Sequence, residues 1–539
     1  MNPRAIGPCL LGILLPIRVA AAQPARAAPC EALLGLSLSE TKITAASTNP
    51  GLGGSGPFCQ VVGVATPTGH SVIGFEVWLP PAGSWNGKLQ AVGSGGSAGS
   101  INTGGLTAAL SGADKKYAAM ATDNGHKGSS WTFAHPFSEK VVDFGYRAEH
   151  VSTVAAKAIV TAFYGSAPEH AYFVGCSQGG HHALMAAQRF PEDFDGIVAG
   201  DPANNWTNLM VGELWAGLVA GLKDPANSLP QAKLDVLMNA VLLACDGNDG
   251  VVDGIIEDPR TCHFDPASLR CAGADAPDCL TTGQIEAVNN LYAGASNRRT
   301  GAQIFPGFVN GSENAWRQVL VGLPIPGGSS YSYFRDGVFA DTAWNFRAFD
   351  FDRDVTFAAN RTAGAGTFET ALAANDADLR PFARAGGKLI LYHGWADPFI
   401  TPTSTINYYE KVLSVFGGRG DREEALERAQ RFARLFMVPG LWHCAGGPGP
   451  NKFDMLSALE SWVEQGEAPK KIIGTKYVKD DPTMGVILTR PLCVYPQTAR
   501  YLGGNPSEAA SFSCGAADED RSGGDHEGGG GEGGDRGGD

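Results

Sequence analysis

The chain has 539 residues, a length that suggests two or three core-sized units rather than one minimal domain. Hydrophobic residues make up 43% of it, which is ordinary for a soluble globular protein. The 41 basic and 55 acidic residues give a net charge of −14, which argues against nucleic acid as a partner.

The N-terminus predicts a secretion signal. Arg4 precedes a short apolar core at residues 6–17, and small residues follow at 19–22. Pro16 and Arg18 interrupt the run before the roughly 20 apolar residues that a membrane-spanning helix needs. We expect cleavage after residue 22, with 25–27 as a second workable site. The mature protein is then expected to be secreted or periplasmic, with no membrane partner.

Cysteine usage agrees with export. Eleven cysteines occur, and Cys9 leaves with the signal. The ten that remain are an even number, which predicts up to five disulfides. Zinc is the competing use of clustered cysteines, but the sequence has no Cys-x-x-Cys pair.

Strand and helix patterns alternate along much of the chain. Short strands are predicted at residues 74–80, 88–92, 117–122, 171–174, 193–200 and 387–393, and a helix at 146–164. This alternation predicts an α/β fold on a mostly parallel sheet. A glycine-rich loop at 93–99 lacks the features of a phosphate-binding loop. It could supply backbone N–H groups to an oxyanion hole, or it could be a flexible surface loop.

Two regions depart from this alternation. Residues 201–379 are rich in aromatic side chains, contain two cysteine pairs and have long loops, so they predict a lid domain. That domain would be inserted into a catalytic core made of residues 23–200 and 380–514. The tail at 515–539 has eight acidic, two basic and eleven glycine residues, so we expect it to be disordered.

Gly175-Cys-Ser177-Gln-Gly179 is a candidate nucleophile elbow. An apolar strand precedes it and a helix-favouring run follows it. A tight strand-to-helix turn needs small residues, and it lifts a serine hydroxyl above the edge of the sheet. The N–H groups at the start of the helix would lie close to that hydroxyl. Ser177 is therefore the predicted nucleophile.

A nucleophilic serine needs a base and a carboxylate that orients the base. Asp397 and His443 each follow a predicted buried strand, and the order Ser177, Asp397, His443 is that of α/β-hydrolases. Asp397 could instead only begin a turn, because Pro398 follows it. Four other histidines compete for the role of base: His126, His181, His182 and His393.

The cysteines beside the serine and the histidine favour His443. Cys176 directly precedes Ser177, and Cys444 directly follows His443. A disulfide between them would hold their Cα atoms about 5.5–6 Å apart, which brings the nucleophile within hydrogen-bonding reach of its base. The alternative is two unrelated buried thiols.

A glycine-rich acidic loop between Cys245 and Cys262 suggests a hard cation with oxygen ligands. It is not an EF-hand, because its sixth position is valine where glycine is required. We predict that it binds structural calcium; the alternative is a solvated acidic loop. The predicted ligands are the side chains of Asp246, Asp249 and Asp253 and the backbone carbonyls of Val251 and Ile255.

With these residues in hand, the chain resembles the tannase and feruloyl esterase family of serine esterases. The similar segments are residues 121–126, 175–180, 245–262, 393–397 and 443–447, and the resemblance covers nearly the whole mature chain. It implies an α/β-hydrolase core with an inserted lid that holds calcium, and an oxyanion hole made by the N–H groups of Gly96 and Gln178. It also implies the disulfides Cys176–Cys444, Cys245–Cys262, Cys271–Cys279, Cys493–Cys514 and Cys30–Cys59.

The predicted activity is hydrolysis of esters of aromatic acids, such as feruloyl or galloyl esters, through a Ser-His-Asp triad and an acyl-enzyme. The substrate would be a small aromatic ester, free or attached to plant polysaccharide or polyphenol. The alternative is a terephthalate-monoester hydrolase of the same family, in which the resemblance implies a lid arginine that grips the substrate carboxylate. The sequence has no equivalent of that arginine motif, and Arg335 in the loosely comparable residues 332–339 is only a substitute, which weakens this alternative. Two further alternatives are an exported binding protein that lost catalysis and a peptidase on the same fold.

Overall fold

The computed structural model describes residues 27–111, 116–417 and 421–516, and a nine-stranded sheet runs through its centre. In chain order the strands are β1 (Thr41–Asn49), β2 (Phe58–Ala65), β3 (Ile73–Leu79), β4 (Trp85–Val92), β5 (Lys116–Thr122), β6 (His170–Cys176), β7 (Gly196–Gly200), β8 (Ala295–Ser296), β9 (Gln303–Phe305), β10 (Thr362–Ala363), β11 (Gly366–Thr367), β12 (Lys388–Gly394), β13 (Ala433–Val438), β14 (Lys471–Tyr477), β15 (Val486–Cys493), β16 (Thr498–Tyr501) and β17 (Phe512–Gly515).

Helices cover both faces of this sheet and build the inserted region. They are α1 (Thr103–Ala109), α2 (Glu139–Val142), α3 (Ala148–Tyr164), α4 (Gln178–Arg189), α5 (Trp206–Gly217), α6 (Gln231–Cys245), α7 (Thr282–Ala293), α8 (Arg317–Leu320), α9 (Ser330–Ser332), α10 (Arg353–Ala359), α11 (Phe368–Leu372), α12 (Arg380–Arg384), α13 (Pro402–Gly417), α14 (Arg422–Ala429) and α15 (Met455–Gln465). Single π-helical turns at Asp143–Arg147, Leu218–Leu222 and Tyr333–Val338 extend α2, α5 and α9.

The order across the sheet is β1-β2-β3-β5-β4-β6-β7-β12-β13. Strands β1 to β3 pair antiparallel at one edge, and the six strands from β5 to β13 run parallel. Successive residues of the central strands enter opposite cores, since Phe173 lies on one face with α3 and α4 and Tyr172 on the other with α15. Burial on both faces explains why these strands are nearly continuous apolar runs. This is the α/β-hydrolase fold, which confirms the predicted core.

The parallel register decides where functional groups meet. Cys176 pairs with Gly200, Gly200 pairs with Tyr392, and Gly394 pairs with Val438. The carboxyl ends of β6, β7, β12 and β13 therefore lie at one edge of the sheet, and the loops that follow them share that edge.

Residues between β7 and α12 build a second hydrophobic core, which includes Trp206, Leu214 and Trp316. The same core takes in Trp131 and Phe144, which lie in the segment after β5. Residues 201–379 lie between β7 and α12 along the chain, and they share their core with part of the sheet domain. We call residues 201–379 the insertion.

All ten cysteines of the described ranges form the five expected disulfides: Cys30–Cys59, Cys176–Cys444, Cys245–Cys262, Cys271–Cys279 and Cys493–Cys514. Over the same ranges, none of the helices has the length and apolar character needed to cross a membrane. The predicted signal at 1–22 and all but the first two residues of the predicted tail lie outside the described residues, and β17 runs one residue into that tail.

Candidate active site

Ser177 lies at a sharp turn between β6 and α4. Its φ of 65° and ψ of −121° are rare for a residue with a side chain, and the strain is typical of a functional turn. The turn has no room for side chains beside the serine, because a Cβ on Gly175 would come within 2.5 Å of the Gly179 backbone. The predicted elbow is therefore formed, with the serine between two obligatory glycines.

The three predicted catalytic side chains meet at the carboxyl edge of the sheet. His443 Nε2 lies 2.8 Å from Ser177 Oγ, and His443 Nδ1 lies 2.7 Å from Asp397 Oδ2. The disulfide beside them holds the Cα atoms of Cys176 and Cys444 6.0 Å apart. A hydrogen-bonded chain thus runs from the hydroxyl through the imidazole to a buried carboxylate.

Asp397 is held rigidly and stays ionised. Its Oδ1 accepts hydrogen bonds from the backbone N–H groups of Phe399 at 2.8 Å and Ile400 at 3.0 Å. Burial alone would raise the pKa of this carboxyl, but the neighbouring His443 and His393 hold it well below its usual range.

The pKa of His443 is shifted in the opposite direction to that of Asp397. Burial would lower the pKa of its imidazole, but the charge of Asp397 and its hydrogen bond raise that pKa to about 9, with smaller contributions from Asp201 and Glu213. The side chain keeps 19% of its surface exposed, so a small molecule can reach it.

The competing histidines are fully or nearly buried and bind backbone carbonyls. The contacts are His126 to Ser97, His181 to Leu372, His182 to Phe144 and His393 to Ile400, at 2.8–3.0 Å. Burial lowers the pKa of His181 to about 3, so this imidazole is neutral. These four histidines shape the core around the site, and His443 is the one that contacts the serine hydroxyl.

Asp201, at the end of β7, is a residue that the sequence reasoning missed. It is completely buried, and its backbone is strained at a φ of 35°. Oδ1 accepts from the N–H of Gly394 at 2.9 Å, and Oδ2 accepts from the N–H of Cys444 at 2.5 Å. One carboxylate thus braces the loop that carries Asp397 and the loop that carries His443. The positive φ within an Asp-Pro pair is not visible in the sequence.

The glycine-rich loop at 93–99 is fixed rather than flexible. Asn124 donates to Ser94 Oγ at 2.7 Å and to the Ala98 carbonyl at 3.0 Å, and Trp131 donates to Ser97 Oγ at 2.8 Å. Gly93 packs directly on Gly179 of the elbow, where a Cβ would collide with the helix backbone. The loop therefore lies against the start of α4, close to Ser177.

Gly96 and Gln178 occupy positions suited to donate backbone hydrogen bonds. Gly96 has a φ of 56° and open space beside its Cα, so glycine is needed there for the backbone conformation. Gln178 is the first residue of α4, so its N–H has no acceptor within the helix. Its side chain is buried beside His182, which leaves the backbone amide as the group it can offer to a ligand.

The acidic loop at 245–262 offers oxygen atoms, although several are already engaged. Asp246 accepts hydrogen bonds from the backbone N–H groups of Asp253, Gly254 and Ile255. Asp249 Oδ2 is buried and has no hydrogen-bond partner within the described residues. Burial, with the charges of Asp253 and Asp246, raises the pKa of Asp249 to about 6.

Arg490 from β15 already brings one cation to this loop. Its buried guanidinium pairs with Asp253 and lies 3.7 Å from Glu257. Over the described ranges, the loop carboxylates are not among the groups of three side chains whose ligand atoms lie within 4.8 Å of one another. The donor chemistry fits a hard cation at Asp249, whereas Arg490 competes with it for Asp253.

Arg335, the counterpart considered for a substrate-gripping arginine, is committed to a neighbour. Its Nε and Nη2 donate to the two carboxylate oxygens of Asp336 at 2.6 and 2.8 Å, and its guanidinium lies over the Tyr331 ring. A bidentate pair of this kind leaves little reason for the guanidinium to bind a substrate carboxylate.

Comparisons with known proteins agree with this geometry. Residues 59–515 match the family model described as tannase and feruloyl esterase. The chain is 39% identical to an uncharacterized esterase of Xanthomonas campestris pv. campestris, over 90% of this chain and 91% of that protein. It is 34% identical to mono(2-hydroxyethyl) terephthalate hydrolase of Piscinibacter sakaiensis, over 85% of each chain.

A solved structure gives the same result at the level of the fold. Feruloyl esterase B from Aspergillus oryzae superposes with a TM-score of 0.80 at 27% identity, over 90% of this chain and 99% of that one.

Proposed function

The chain belongs to the tannase and feruloyl esterase family and is a carboxylic ester hydrolase; on that premise we propose that it cleaves esters of aromatic acids through Ser177, His443 and Asp397. The observation that carries the proposal is the chain of two hydrogen bonds, 2.8 and 2.7 Å long, that joins these side chains.

In the first half-reaction Ser177 Oγ attacks the ester carbonyl while His443 Nε2 takes its proton. The imidazolium is stabilised by Asp397, whose position is set by its backbone hydrogen bonds. The N–H groups of Gly96 and Gln178 stabilise the oxyanion of the tetrahedral intermediate. His443 then returns the proton to the alcohol that leaves, and an acyl-enzyme forms on Ser177.

In the second half-reaction water attacks the acyl-enzyme. His443 takes a proton from the water and returns it to Ser177 as the aromatic acid departs. The insertion is proposed to act as a lid over the acyl ring, since Phe399, whose ring lies 5.2 Å from that of His443, packs against the hydrophobic core of the insertion.

Aromatic acyl groups are the proposed substrates, in line with the name of the structural neighbour, feruloyl esterase B. The pairing of Arg335 with Asp336 favours feruloyl or galloyl esters over terephthalate monoesters. The test is kcat/KM on methyl ferulate, methyl gallate and mono(2-hydroxyethyl) terephthalate, with Ser177→Ala as the inactive control. Turnover of methyl ferulate and methyl gallate by Ser177→Ala would overturn the proposal.

We also propose that the acidic loop holds a structural calcium ion through Asp246, Asp249, Asp253 and the carbonyls of Val251 and Ile255. The buried, unpartnered oxygen of Asp249 supports this assignment. Elemental analysis of dialysed protein should find about one calcium per chain, and Asp249→Asn should abolish it. Calcium at no stoichiometry, with a melting temperature unchanged by chelator, would contradict it.

We further propose that the protein is exported and that a signal at residues 1–22 is cleaved. The five disulfides support it, because such bonds persist in oxidising compartments. N-terminal sequencing of protein from the culture medium or periplasm should begin at residue 23. An uncleaved N-terminus on cytosolic protein would contradict it.

A further inference from the structure

A cleft between the insertion and the Asp397 loop holds one acidic side chain in an otherwise largely apolar lining. Glu213 of α5 lines this cleft together with Trp215, Leu291, Phe305, Phe308, Val319 and Phe399. Phe399 follows Asp397 by two residues, and its ring centroid lies 5.2 Å from that of His443. The cleft therefore adjoins the catalytic imidazole through one shared aromatic wall.

The insertion holds the Glu213 carboxyl group in a fixed position. Its Oε2 accepts hydrogen bonds from the backbone N–H groups of Ser329 at 2.8 Å and Ser330 at 2.9 Å. A Cβ on Gly328 would collide with this carboxyl, and the φ of 68° at Gly328 also favours glycine. The glycine before the two serines thus lets the backbone close around one side of the carboxyl.

The other oxygen of Glu213 is available. Oε1 has no hydrogen-bond partner in the part of the chain that the structure describes, and the side chain is only partly covered. Burial raises the pKa of Glu213 to about 8, and the charges of His443 and Asp397 also act on it. Since Oε2 already accepts two N–H bonds, Oε1 is the oxygen that can accept a hydrogen bond from a ligand, or donate one when the carboxyl is protonated.

We propose that Glu213 is a specificity-determining residue that hydrogen-bonds a phenolic hydroxyl on the aromatic ring of the ester substrate. Aromatic and aliphatic side chains line the cleft, and the single carboxyl gives a directional contact to one polar substituent of a ring that enters it. A phenol both donates and accepts hydrogen bonds, so it matches this carboxyl in either protonation state. The inference rests on the proposed function, because it names the ring substituent read at the same site.

The decisive experiment compares two esters that differ by one hydroxyl, methyl 4-hydroxycinnamate and methyl cinnamate. The enzyme variants are Glu213→Leu and Glu213→Gln, with Glu286→Gln on the exposed face of α7 as the matched control. The Glu213→Gln change is not expected to disturb the Ser329 and Ser330 hydrogen bonds, because an amide oxygen can accept them, and the new NH₂ group still donates into the cleft.

The wild-type enzyme should prefer the hydroxylated ester. Glu213→Leu should lower the ratio of kcat/KM for that ester to kcat/KM for methyl cinnamate by about 5- to 10-fold, the effect of one lost hydrogen bond. Glu213→Gln should keep most of the preference, and the control should match the wild type. The melting temperature of each variant reports whether it is folded.

Three results would overturn the inference. Glu213→Leu could lose activity equally on both esters, which would make Glu213 only a brace between α5 and the loop at 329–330. The wild type could turn over both esters at equal kcat/KM, which would remove the preference while leaving the proposed esterase function intact. The wild type could turn over neither ester nor any other aromatic ester, which would overturn the proposed function itself.

Discussion

Replacing Cys176 and Cys444 together with alanine removes the covalent link between the serine turn and the histidine loop. The bridge closes a loop of 268 residues. For a loop of this length the chain-entropy relation gives about 5.6 kcal/mol, at the upper end of measured disulfide effects. We take about 4 kcal/mol as the expected loss. At about 2.1 cal/mol/K of unfolding entropy per residue over about 480 folded residues, this lowers the melting temperature by about 4 °C.

The same variant should lose activity while it is still folded. Two contacts continue to hold the loops, the His443–Ser177 hydrogen bond and the Asp201 bond to the N–H of residue 444. We therefore expect kcat to fall by about 10- to 100-fold rather than to vanish, since a small displacement of a base costs that much.

Scanning calorimetry and methyl ferulate kinetics at 25 °C measure the two effects separately. The matched control removes Cys271 and Cys279, whose bridge closes only 8 residues within the insertion. That control should lose about 2.5 kcal/mol by the same relation and keep full activity. Unchanged kcat in the Cys176/Cys444 variant, or an equal loss in both variants, would refute the claim that this bridge positions the base.

Four further predictions concern the same edge of the sheet. The kcat/KM should rise with pH as the His443 imidazolium loses its proton at a pKa of about 9, and a plateau reached by pH 7 would contradict that shift. The ion pair of His443 with Asp397 contributes its full stabilisation to the fold below pH 6.5, and this contribution is lost as the pH rises through about 9. Measurements of the unfolding free energy against pH test this. Asp201→Asn should move the acid limb of the activity profile to lower pH and reduce the unfolding free energy by about 2 kcal/mol, and an unmoved limb would count against a bracing charge. Ser177→Gly should be more stable than Ser177→Ala by about 1 kcal/mol, because glycine tolerates the positive φ; equal denaturant midpoints would show that the turn stores no strain.

Much of the site could be predicted because its signals are local. Ser177, Asp397 and His443 each directly follow or closely follow an apolar strand, and parallel strands bring their carboxyl ends to one edge. Cys176 and Cys444, which lie next to the serine and the histidine in two short motifs, indicated in addition that these motifs are joined by a disulfide.

The groups that escaped prediction act through contacts that are distant in the chain. Asp201 is a turn residue by its sequence, and its importance comes from N–H groups 193 and 243 residues away. Arg490 reaches Asp253 across 237 residues, so the acidic loop alone could not reveal that a guanidinium shares it. Glu213 lies in an apolar helix, and the residues that line the cleft with it come from separate segments of the chain.

The packing of the segment after β5 was also beyond local signals. Trp131 and Phe144 precede the insertion, yet they pack in the same core as Trp206 and Trp316. Aromatic residues in a sequence indicate burial, but they do not indicate which hydrophobic core the side chains join. For Trp131 and Phe144 the core is decided by the path of the segment after β5.

Covalent labelling with a fluorophosphonate tests the central claim most directly. The reagent phosphonylates a serine, with loss of fluoride, only when an adjacent base activates the hydroxyl, and peptide mass spectrometry locates the adduct. We predict one adduct per chain, on Ser177, formed in parallel with the loss of esterase activity and absent from Ser177→Ala. His443→Ala should slow the labelling by about 100-fold or more. An adduct on another residue, or full inactivation with Ser177 unmodified, would contradict Ser177 as the nucleophile.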